Sequence, residues 1–152
     1  MQNKFKKQGV CKQLSGSVLN PEGSGLRLVL TTADMNGEVE GELTLLLKKK
    51  WAQTSTTAKT WFANRVGYKL GSIELTAVQS DVWVIHMLCL DKGVVVSHAV
   101  SNCLKKVADK AVLEQASVHI SNLLVDKIPE LKTLVTEAFV ERGINVSFYD
   151  HK

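Results

Sequence analysis

The run from Asp81 to Leu90, DVWVIHMLCL, is apolar at every position except Asp81 and His86. A strand with one wet face alternates apolar and polar residues. A short, continuously apolar run bounded by turn residues belongs instead in the middle of a sheet covered on both sides. The residues Gln79-Ser80-Asp81 before it read as a turn. The preceding GSIELTAV reads as the strand that turn joins to it. This pair predicts a layered fold with a sheet at its centre and helices on both faces.

The rest of the chain supplies the other elements. VCKQLSGSVL reads as a short strand ending near Gly16, NPEGSG as a turn and LRLVLTT as a buried strand. A helix is expected from about Glu40 to Trp51, with Leu43, Leu46, Leu47 and Lys50 on one face. Acidic residues stand in its first turn and Lys48, Lys49 and Lys50 in its last, an order that suits the helix dipole. TSTTAKTWFANRVG predicts a second helix closed by Gly67. Val100, Leu104, Val107 and Ala111 mark a third helix from about Ser97 to Leu113. ASVHIS is a strand, Pro129 opens a helix closed by Gly143, and INVSFYD is the last strand. The order β-β-α-α-β-β-α-β-α-β gives a three-layer α/β fold, with a mixed, mostly parallel six-stranded sheet between helices. In such sheets ligands sit where strand ends lead into helices. That singles out the loops Asp34 to Gly41 and Ser121 to Ile128.

Composition narrows the class. With 152 residues, 45% of them apolar and 22% charged, the chain is globular and of single-domain size. No apolar run reaches the roughly 18 residues of a membrane span. The first residues lack a secretory signal pattern, so the expected location is cytoplasmic or nuclear. Cys11, Cys89 and Cys103 are odd in number and widely spaced, which fits reduced thiols. His86, His98, His119 and His151 have no ligand-like spacing, so neither a metal nor a cofactor is expected. The net charge is +4. Lys4, Lys6, Lys7 and Lys12 fall in residues 1–12, read as a basic, flexible N-terminal arm ahead of a single domain over 13–152. Nucleic acid binding through Lys4, Lys6 and Lys7, joined by Lys48 to Lys50 and Lys105, Lys106 and Lys110, is one alternative for function.

Several strings, in order, resemble the macro domain, the ADP-ribose-binding α/β module. SGSVLNP is similar to the segment after the family's first strand, and LGSIELTAVQSDVWVIHML to its paired middle strands. AVSNCLKKVADKAVLEQASVHIS resembles its long helix and next strand, and GINVSFYD its closing strand. The resemblance covers about Leu14 to Asp150. It implies that Gly16-Ser17 stands where the family has a Gly-Asp pair that meets adenine. It places Asp34 or Asn36 near the distal ribose, with Gly37 and Gly41 as remnants of a glycine-rich loop. It makes Ser121 and Asn122 the start of the second phosphate loop. Were the chain an ADP-ribosyl hydrolase, Asp34 is the catalytic candidate by position, with Asp126 and Lys127 beside it.

The residues at these loops argue against a phosphate seat. A diphosphate cradle needs backbone N–H groups converging on the anion, which glycines permit through positive φ and close approach. The second loop, SNLLVDKIP, has no glycine. Glu38, Glu40 and Glu42 occupy the helix start that would face the phosphates. Two like unit charges about 4 Å apart repel by roughly 4 kcal/mol at an effective dielectric of 20. Even about 3 kcal/mol of that weakens binding roughly a hundredfold. The expectation is therefore a non-enzymatic interaction module with a protein partner and with ADP-ribose recognition weakened or lost. The alternative is a rewired ADP-ribose binder or hydrolase using Ser17, Asp34, Asn36, Gly37, Ser121 and Asn122.

Overall fold

The computed structural model describes residues 7–37 and 41–151. Strands β1 (Cys11–Ser17) and β2 (Arg27–Asp34) lead into helices α1 (Glu42–Lys50) and α2 (Gln53–Asn64). Strands β3 (Ile73–Gln79), β4 (Val82–Asp91) and the short β5 (Val94–Val95) follow, then α3 (Ser97–Glu114) and β6 (Ser117–Ser121). Helices α4 (Asn122–Lys127) and α5 (Leu131–Ala138), a 3-10 turn over Val140–Arg142 and β7 (Val146–His151) complete the chain.

The strands form one sheet in the order β1-β7-β6-β2-β4-β3, with β5 paired to β4. All neighbours run parallel except β3 and β5, which are antiparallel to β4. The apolar run of the sequence is β4, between β2 and β3. From Val84 to Cys89 it is buried at every residue, which is why it carries no alternating pattern. Helix α3 packs on β4 and on α5, and α2 packs on β3 and α1. Thus helices cover the sheet in a three-layer α/β arrangement. The main core joins both layers through Leu28, Leu30, Ile85, Met87, Leu104 and Val107.

Some boundaries differ from the sequence reading. Residues 1–6, with Lys4 and Lys6, lie outside the described residues, as do Glu38 and Glu40. The remainder of the expected arm is not free. The Gly9 N–H donates to the Val140 carbonyl at 2.8 Å, and Cys11 and Lys12 already pair with Val146 and Ser147. Helix α2 closes on Arg65, at φ 61°, before Gly67. Its guanidinium lies 4.1 Å from the Phe62 ring centroid, a contact that helps hold the left-handed residue. Helix α5 stops at Ala138, and the 3-10 turn carries the chain on to Gly143 at φ 84°. The largest difference is at Ser121 to Ile128. The expected loop is helix α4, because a segment of leucine, valine and lysine has no glycine to hold it open.

Candidate functional site

The carboxyl ends of β2 and β6 are neighbours in the sheet, and each leads to a helix. Between α1 and α4 lies a cleft of about 360 Å³. Its walls are Thr32, Gly41, Glu42 and Leu43 on one side and Leu123, Leu124, Asp126 and Lys127 on the other. The cleft is open. Leu124, 2% exposed, belongs to the core beneath it, and half-buried Leu123 forms part of its wall. Helix α1 starts at Gly41. There the Thr44 hydroxyl accepts the Gly41 N–H at 2.8 Å and donates to the Gly41 carbonyl at 2.9 Å. This side chain stands where a capping box places its third residue. The Lys127 ammonium reaches the same helix start, since a methyl group on Gly41 would lie 3.8 Å from Nζ.

Asp34 is 2% exposed, and its carboxylate is held by backbone. Oδ1 accepts the N–H groups of Asn36 at 3.1 Å and Lys92 at 2.9 Å, and Oδ2 accepts that of Gly93 at 2.7 Å. Lys92 and Gly93 both have positive φ, 51° and 79°, as the two central residues of a tight β4–β5 hairpin require. Asp34 therefore anchors that hairpin. Its carbonyl accepts from the Tyr68 hydroxyl and from the Gly37 N–H, so the start of the β2–α1 loop is tied down as well. Gly37 has φ 81°, and a Cβ there would meet the Phe62 ring at 2.8 Å. Glycine is needed at that point to fit against the ring. Phe62 packs on a small cluster of Ala33, Trp61, Tyr68 and Leu88 that buttresses the end of β2.

Two of the other sequence candidates, Ser121 and Ser17, also have structural roles. Ser121 caps α4, its hydroxyl accepting the Leu123 N–H at 3.1 Å. The buried Asn122 Oδ1 has no hydrogen-bond partner. Ser17 accepts the Leu19 N–H at 3.1 Å and so closes the turn after β1. β7 and β6 separate β1 from β2, which puts Ser17 roughly 14 Å from the end of β2 at ordinary strand spacing. The fold thus brings Asp34, Asn36, Gly37, Ser121 and Asn122 to adjacent strand ends and leaves Ser17 at the sheet edge. Beside Ser17, the Asp150 carboxylate accepts the Gly16 N–H at 3.1 Å. The parallel β1–β7 pairing creates that neighbourhood, and no local sequence signal points to it.

His86 and His119 lie on strands separated by β2, and each has its own partners. His86 Nε2 is 2.8 Å from the Thr76 hydroxyl. His119 Nδ1 is 2.8 Å from the Tyr149 hydroxyl, and its Nε2 is 2.7 Å from that of Ser117. Tyr149 also accepts the Glu22 N–H at 2.8 Å, so His119 and Tyr149 tie β6, β7 and the turn after β1 into one buried polar network. Burial pushes both imidazoles down to about 4, with the Arg27 charge adding to the effect at His119. Burial likewise pushes the Cys89 and Cys103 thiols up to about 12, which removes them as nucleophiles near neutral pH. Among the described residues no three His, Cys, Asp or Glu side chains gather as a metal-ligand set. No helix among them is long and apolar enough to cross a membrane. Two of the α3 lysines are engaged locally: Lys106 donates to the Gly71 carbonyl at 2.8 Å, and Lys110 lies over the Trp83 ring, while Lys105 is exposed.

No protein-family model matches the chain, and no curated protein sequence matches it significantly. Solved structures do. A macrodomain protein from Streptomyces coelicolor superposes with a TM-score of 0.87 at 24% identity, over 93% of this chain and 99% of that one. A protein from Bacteroides thetaiotaomicron gives 0.87 at 22% identity, over 93% and 99%. A DarTG protein of Thermosipho africanus, solved in complex with ADP-ribose, gives 0.72 at 11% identity, over 92% of this chain and 41% of that one. The order of strands in the sheet, the α1–α4 cleft at their carboxyl ends and these superpositions agree: the fold of this protein is a macro domain.

Proposed function

We propose that this macro-fold chain is a non-catalytic recognition module whose partner is a protein and whose cleft binds ADP-ribose weakly or not at all. The closure of residues 122–127 into helix α4 carries the reading. A diphosphate cradle requires main-chain N–H groups turned toward the anion. In α4 the Leu123 amide is spent on Ser121, and the chain turns its hydrogen bonds inward, with Ile128 N–H donating to the Leu124 carbonyl at 2.9 Å. The Asp34 carboxylate, the positional candidate for hydrolysis, is buried and accepts three backbone N–H groups, a structural role that disfavours it as a base. Two exposed valines favour a protein partner. Val94 lies on the hairpin that Asp34 holds, and Val66 lies on the loop whose carbonyl accepts from Trp61.

Isothermal titration with ADP-ribose tests this directly. The expected result is no saturable heat at protein concentrations near ~100 μM, corresponding to a Kd weaker than about 1 mM. A low-micromolar Kd overturns the proposal.

One observation favours a second reading, a rewired ADP-ribose binder. The cleft is open, and Lys127 places an ammonium at its rim, where it would meet an anionic ligand. On that reading binding is measurable and Lys127→Met weakens it about tenfold or more, whereas equal binding by parent and variant counts against it.

A further inference from the structure

A second recess opens between α1 and α2 and runs down to the sheet. It is separate from the α1–α4 cleft, and Thr32 and Thr44 line both. Its floor is Thr31 of β2 and His86 of β4, which are register partners in the parallel pair. Its walls come from α1 and α2 and include Lys48 and Ser55. Thr31 is 2% exposed, and its hydroxyl has no hydrogen-bond partner. A valine would fill the same space without burying an unpaired polar atom, so this hydroxyl is costly unless something binds to it.

We propose that this crevice is a binding site for a small anion of carboxylate size. Three features select that class. The space is about 30 Å³, against the roughly 10–15 Å³ that one water needs, so the occupant has two or three heavy atoms. The lining holds one charged side chain, Lys48, and no carboxylate; a cation would be repelled and an anion attracted. Lys48 belongs to none of the ion pairs among the described residues. The donors on offer are side chains. The first amides of α2 are already bonded, Thr54 N–H to the Trp51 carbonyl and Ser55 N–H to the Ala52 carbonyl, so recognition falls to the Thr31 hydroxyl and to the lining side chains of Ser55 and Lys48. His86 is held by Thr76 through Nε2 and stays neutral at pH 7, contributing a polar floor without charge.

The test is a titration of the full chain with sodium formate at constant ionic strength, with sodium sulfate as the balancing salt. Backbone signals of Thr31, Thr32 and Ser55 and the His86 ring nitrogens are followed by NMR. Saturating shifts are expected, with half-saturation in roughly the millimolar range that a three-atom ligand can reach. Formamide, of the same shape and uncharged, should leave these signals in place. Thr31→Val and Lys48→Met should each raise the half-saturation point about tenfold or more. Lys48 is exposed, so its variant retains the fold and keeps the test decisive even if Thr31→Val folds poorly. Shifts that grow linearly with formate, an equal response to formamide, or undiminished binding by Lys48→Met would each overturn the proposal.

Discussion

Asp34 puts three backbone N–H groups onto one buried carboxylate, so its removal strands amides as well as losing bonds. Asp34→Ala should lower stability by about 3 kcal/mol, with Asp34→Asn losing roughly half as much, measured by urea unfolding. A loss below about 1 kcal/mol would mean that the hairpin holds itself. The buried histidines make a pH prediction. Unfolded imidazole titrates near 6.5, while burial pushes His86 and His119 down to about 4. The unfolded chain therefore binds protons that the folded one refuses. Stability is full above about pH 6.5 and falls as pH drops toward 4, by up to about 1.4 kcal/mol per pH unit for each histidine. Urea midpoints at pH 7, 6 and 5 should show the decline, and His119→Gln should flatten it.

At the level of elements, helix ends carry most of what local sequence failed to show. Gly67 was the expected stop for α2, yet Arg65 takes the left-handed position, where arginine has no intrinsic preference and gains from lying over Phe62. Helix α3 ends likewise on Gln115, at φ 55° and ψ 44°. Gln115 is exposed, so Gln115→Gly removes left-handed strain without removing packing. It should raise stability by about 0.5–1 kcal/mol, less than the strain itself because glycine also loosens the unfolded chain. A rise in the urea midpoint with unchanged slope is the signature. Helix α4 shows the reverse case. Its absence of glycine was plain in SNLLVDKIP and pointed to the loss of a phosphate cradle, but a helix in its place depends on Ser121 meeting the Leu123 amide and on Leu124 entering the core.

Across the whole molecule, β1 and β7 bring the two ends of the chain together as a parallel pair, Cys11 with Val146 and Leu14 with Tyr149. The chain enters this pairing through Gly9, where a Cβ would sit 2.0 Å from the Ile144 carbonyl oxygen. Gly9→Ala should therefore cost about 2–3 kcal/mol or free the β1 edge. Hydrogen exchange separates the two outcomes, since local fraying speeds β1 amides alone and global loss speeds all of them. Protection equal to the parent throughout would show that the backbone shifts there at no cost.

The sequence by itself determined the layered architecture. Hydrophobic period is a local property, and the unbroken apolar run of β4 beside the three-four spacing of α3 admits few arrangements other than a covered parallel sheet. It also marked the two segments that meet at the cleft, because strand ends in such sheets are where helices begin. Only the tertiary structure decided what the side chains there do. Asp34 reads identically in sequence whether it faces a ligand or the amides of Lys92 and Gly93, fifty-eight and fifty-nine residues away. Thr31 reads as one more strand residue until β4 sets His86 beside it and α1 and α2 wall in its hydroxyl. Hydrogen-bond partners distant along the chain leave no periodic trace, so their assignment waits on the fold that brings them within 3 Å or so.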